Sequence, residues 1–180
     1  MKKKNNLKWI IKIILISVIA SMVFTLASTE ILGRTGYAMA FTVLTAFIIL
    51  GIVFDTIGLA VATAAEAPFH SMAAHHERGA VESLRLIKNA DRVSSFCNDV
   101  VGDVSGIVSG ATAALIAARL TQGLSTVNFL VPLLISGMVT GLTIGGKAIG
   151  KTLAFNNSTA IVLKVGKLLY ILRLKSYSKK

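Results

Sequence analysis

Apolar residues in this chain gather into four long stretches, at 9–27, 37–62, 101–118 and 128–144, separated by short polar connections. Each stretch is close to the ~20 residues that a helix needs to cross the hydrocarbon layer. Lipid offers the backbone no hydrogen-bond partner, so each span must be helical. Gly33, Arg34, Thr35 and Gly36 give a turn signal between the first two spans. Between the second and third, residues 66–92 are polar and charged, with a break at Gly79. Within it Val81, Leu84 and Ile87 recur at a three-residue spacing beside Glu82, Arg85 and Lys88. That pattern predicts a hairpin of two short amphipathic helices at the membrane face.

The third span places Gly102, Gly106 and Gly110 on one helical face, a stripe that lets another backbone approach closely. Gly141, Gly145, Gly146 and Gly150 crowd the end of the fourth span and predict a bend or break there. Residues 160–173 are apolar but interrupted by Lys164, Lys167 and Arg173, which suits a helix lying along the interface. The expected architecture is an all-α membrane protein with four transmembrane helices, a cytoplasmic helical hairpin and a C-terminal interfacial helix. It divides into an additional N-terminal helix and external turn (1–36), a transmembrane core (37–154) and a basic juxtamembrane tail (155–180).

Charge orients this arrangement. Of 19 Lys and Arg residues, 17 fall in three clusters, at 2–12, 78–92 and 147–180, on one side of the four-span topology. Only Arg34 and Arg119 belong to the other side. The positive-inside rule then places both termini in the cytoplasm of a cell whose inner, cytoplasmic membrane the chain crosses, the bacterial arrangement. A composition that is 54% hydrophobic excludes an ordinary soluble domain. The net charge of +11 invites a nucleic-acid reading, but the basic residues flank apolar spans and have no stacking aromatics among them. Anionic lipid headgroups are the expected partner, and nucleic acid is not.

The first span also resembles a secretory signal, with Lys2, Lys3 and Lys4 before it and Thr25, Leu26 and Ala27 as a cleavage site. Its apolar region runs longer than a signal's and carries Lys12 in its first turns, so an uncleaved helix is expected. The single Cys97 has no disulfide partner in the chain and no Cys/His spacing of a metal site, and reads as a packing residue.

Ionisable residues in a membrane are costly, about 2.5–3.5 kcal/mol each, and mark candidate function. Here they are Asp55, Glu66, Asp99, Asp103 and Lys147. Asp99 and Asp103 are four apart, as are Glu66 and His70, and Asp55 precedes Glu66 by about three turns. Such oxygen donors suit Mg²⁺ or Ca²⁺ better than zinc or copper. The bland alternative makes these acids solvated or salt-bridged helix ends. His70, His75 and His76 read as solvated cytoplasmic residues. No nucleophile, base and orienting group come together in the sequence, so an enzyme is not expected.

From Phe54 to Leu172 the chain resembles the transmembrane domain of the cyclin M and CorC family of magnesium transport proteins. The resemblance is carried at four points. Thr63, Ala64, Ala65, Glu66 and Ala67 stand where that family has Ser-Gly-x-Glu-Thr-Ala. Arg78, Gly79 and Ala80, with Asn89, Ala90, Asp91 and Arg92, match its Lys/Arg-Gly-Ala helix and Asn-Pro-x-Arg segment. Phe96, Cys97 and Asn98 match Ile-Gly-Asn, and the run 146–154, with Lys147 and Lys151, matches Gly-Glu-Ile-Ile-Pro-Lys-x-Leu-Ala.

This resemblance implies a homodimer whose cytoplasm-facing cavity binds Mg²⁺ through side chains of the Glu66 and Asn98 motifs, with Thr63 as a hydroxyl ligand. There are departures. Thr63 and Ala65 replace the Ser, Gly102 a second Asn, and Lys147 and Gly150 the Glu and Pro of the last motif. Lys147 opposes a bound cation, and Asp99 and Asp103 are extra acids able to neutralise it or rebuild the site. The family's paired CBS domains and CorC-associated domain have no counterpart in these residues. The expected function is binding or transport of a divalent cation. The alternatives are a non-transporting interaction or regulatory protein with Lys147 in the ion path, and a proton-coupled carrier of a small anion held by Lys147.

Overall fold

A computed structural model describes residues 2–34, 36–121 and 129–177. All regular structure among them is helical. Helix α1 (Lys2–Arg34) and α2 (Tyr37–Thr63) are followed by the short α3 (Ala67–Ala74) and α4 (Ala80–Lys88). Then α5 (Ala90–Ser95) runs through a π-helical segment (Phe96–Gly102) into α6 (Asp103–Thr121), and α7 (Leu130–Tyr177) completes the chain. Four runs are long and apolar enough to cross a membrane, namely Trp9–Leu26, Tyr37–Thr63, Ala90–Thr121 and Leu130–Arg173. The protein is an all-α membrane protein. Gly36 caps the start of α2, and Thr35, inside the expected turn, lies outside the described residues.

Helices α2, α6 and α7 form the packed body, with α2 against both of the others. Two apolar clusters close its ends. One joins Ala40 and Leu44 of α2 to Ala113 and Ile116 of α6. The other gathers Ala60 and Val61 of α2, Phe69 of α3, Ile87 of α4 and Ala154 and Val162 of α7. Helix α1 leans on this body from outside. Its visible attachments include an edge-to-face pair of Phe24 with Phe47, centroids 5.6 Å apart, and the Arg92 guanidinium 5.3 Å from the Trp9 ring centre.

The expected helical hairpin is present as α3 and α4, but its buried side differs from the expected stripe. Ala80, Glu82, Ser83 and Ile87 are buried, whereas Val81 is exposed. The reason is that α4 docks on α7 through polar contacts. The Ser83 hydroxyl donates to the Val162 carbonyl at 3.1 Å, and Arg173 donates to Glu82 at 3.4 Å. Lys167 reaches Glu77 at 3.1 Å from the same helix. The link between α3 and α4 ends α3 in a Schellman motif: Glu77 N–H bonds Met72 O, His76 N–H bonds Ala73 O, and His76 takes a positive φ of 56°. His76 thus has a backbone role that its sequence position did not reveal.

The fourth span is not broken at its glycines. Gly146 and Gly150 instead bring α7 against Ile52 and Thr56 of α2, where a Cβ would collide with either side chain. The interruption falls at Asn157, whose φ of −130° and ψ of 29° leave the helical region. The segment expected at the interface continues from that kink and lies on the hairpin.

Candidate functional site

Between the two apolar clusters α2 meets the π-segment and α6 at close range, and here the body turns polar. Three positions pair across this contact: Gly51 with Ser105, Asp55 with Gly102, and Gly58 with Asn98. In each, one partner is a glycine, so a polar side chain finds room within a tight helix crossing. A Cβ on Gly102 would sit 3.0 Å from Asp55 Oδ1 and 3.8 Å from Lys147 Nζ. The residue that replaces an expected second Asn therefore makes the space for a charged pair.

That pair is Lys147 with Asp55, Nζ to Oδ1 3.4 Å, bridging α7 and α2. Both side chains are largely withdrawn, 24% and 13% exposed. The expected partners of Lys147 were Asp99 or Asp103, and the structure corrects this. Both of those acids are exposed and neither is ion-paired to Lys147, Asp99 lying in the π-segment and Asp103 at the start of α6.

The other expected ligands fall in separate places. Thr63 ends α2, is exposed, and donates its hydroxyl to Leu59 O at 2.9 Å. Glu66 precedes α3 and lies 3.5 Å from His70 Nε2, with both side chains about half exposed. Helix α2 ends between Asp55 and Glu66, so these two share no helix face. Asn98 packs against Gly58, its amide nitrogen 3.4 Å from Ser94 Oγ. Its amide oxygen is buried and has no hydrogen-bond donor. Among the described residues no three His, Cys, Asp or Glu side chains gather as a metal site would require.

The glycine stripe divides. Gly102 packs against α2, whereas a Cβ at Gly106 or Gly110 would meet nothing within 4 Å. Chemically, the centre of the body offers one carboxylate, one ammonium held by it, and one unpartnered amide oxygen. A scan of family models, a search of curated proteins and a search of solved structures each find no match.

Proposed function

We propose that this is a divalent-cation-handling membrane protein, with Mg²⁺ as its ion, whose polar centre is held closed by Lys147. The observation that carries the reading is the Lys147–Asp55 pair at membrane depth, with the donorless Asn98 oxygen on the same α2 crossing. Intramembrane charge is retained where ions or substrates pass, and hard cations take carboxylate and amide oxygens. In the closed arrangement the ammonium neutralises Asp55 in place of a metal. The basic asymmetry supports a cytoplasmic-membrane location with both termini inside.

A second reading is favoured by the same pair. If Lys147 never leaves Asp55, the chain is a non-transporting interaction or regulatory protein built on this fold. Calorimetry with Mg²⁺ separates the two. Under the first reading Lys147→Ala binds Mg²⁺ at least about tenfold more tightly than the parent, because removing one nearby positive charge leaves the carboxylate free. Asn98→Ala and Asp55→Asn then weaken binding. Absence of Mg²⁺ binding at millimolar concentration in both the parent and Lys147→Ala would leave the second reading in place.

We also propose that the protein is a homodimer. Support comes from the open Gly106 and Gly110 on α6, with the exposed carboxylate of Asp103 at the start of that helix. Lipid fills a groove between small residues poorly, and a second helix fills it well. Gly106→Leu, whose Cβ would meet nothing within 4 Å among the described residues, is expected to convert dimer to monomer in detergent, as read by light scattering. An unchanged mass would rule this face out as the interface.

A further inference from the structure

We infer that the groove between α2 and α7, from the level of the Lys147–Asp55 pair to the Asn157 kink, binds one anionic phospholipid. The groove has a volume of about 410 Å³ and is lined by Ile52, Val53 and Thr56 of α2, by Ile149 and Leu153 of α7, and by Ile161 beyond the kink. Its floor is formed where Gly146 and Gly150 let α7 settle against Ile52 and Thr56. Val53, Ile149 and Leu153 are 45%, 66% and 50% exposed, so the groove opens sideways out of the body. At that depth the neighbouring solvent is hydrocarbon, and an acyl chain is the occupant that matches such a lining.

Residues beyond the kink set the polar end of the occupant. Ile161, Lys164 and Leu168 are spaced i, i+3 and i+7 and share one face. Lys164 is exposed and has no carboxylate partner among the described residues. Its neighbours Lys167 and Arg173 are both committed to the hairpin, on Glu77 and Glu82. Lys164 therefore offers a free ammonium about one helical turn beyond Ile161, the residue that lines the groove past the kink. A headgroup with net negative charge complements it, whereas a zwitterionic one brings a competing ammonium of its own.

Native mass spectrometry of the full chain, equilibrated in mild detergent with equal amounts of phosphatidylglycerol and phosphatidylcholine, tests the site. The parent is expected to retain one phosphatidylglycerol preferentially. Lys164→Gln should lower that preference about fivefold, the effect of one basic residue at an anionic surface. Val53→Trp, at an exposed position, should fill the groove and reduce retention of both lipids. Lys88→Gln, on α4, should leave the preference as in the parent. Parent-like preference in Lys164→Gln, or parent-like retention in Val53→Trp, overturns the inference. So does displacement of the lipid by soluble glycerol phosphate, which would make the site one for a free phosphate ester.

Discussion

Lys147→Ala should lower the stability of the protein by about 3 kcal/mol, because breaking a withdrawn ion pair from one side leaves a carboxylate with no counter-charge. The lower end of the usual range applies because Lys147 is still 24% exposed. For a chain of this size the loss corresponds to roughly 6–12 °C in apparent melting temperature. Asp55→Leu alone should cost a similar amount by stranding the ammonium. The double variant Asp55→Leu/Lys147→Met should recover most of the loss, since an apolar pair of similar volume often replaces a buried ion pair without penalty. Melting of the parent, Lys147→Met, Asp55→Leu and the double variant in one detergent completes the cycle. A Lys147→Ala protein that melts with the parent would show that the pair holds nothing together.

Gly79→Ala is expected to be the most damaging single methyl addition in the chain. Gly79 has φ of 85°, where a side chain costs roughly 1–2 kcal/mol. The added Cβ would also lie 2.5 Å from the Lys167 backbone nitrogen and 2.8 Å from the Gly166 carbonyl carbon. Backbone atoms on a packed helix cannot step aside, so overpacking adds about 1–3 kcal/mol. The hairpin should separate from α7 and open locally, so that trypsin cuts faster at the already exposed Arg78, Arg85 and Lys88. Gly110→Ala serves as the control, since a Cβ there meets nothing within 4 Å. Equal trypsin resistance of the two variants would contradict the docking of α4 on α7.

The spans and the hairpin were legible because they depend on composition over many residues, which hydropathy and charge report directly. The contents of the site were legible only in part. Asp55 and Lys147 stood out as ionisable residues of a membrane protein and Asn98 through the family resemblance, but the choice of Asp55 as the partner of Lys147 depends on how three helices are rotated against one another. Spacing along one helix carries no such information. The glycines misled for a related reason. In a membrane helix they serve close approach as well as bending, and Gly146 and Gly150 do the former. The kink falls instead in the Asn156, Asn157 and Ser158 run, whose side-chain types compete for backbone hydrogen bonds. Burial of Glu82 and Ser83 was hidden because their partners, Arg173 and Val162, lie 91 and 79 residues away.

Helix α1 has none of the residues of its span, Trp9–Leu26, buried, while both apolar clusters are made without it. This has a consequence for biogenesis. Helix α1 is made before α2, α6 and α7, and its final position demands least from the rest of the chain. It can enter the bilayer as a free-standing anchor while α2 is still being synthesised. Lys147 is made last of its set, and its arrival with α7 neutralises an aspartate that α2 has already carried into the membrane.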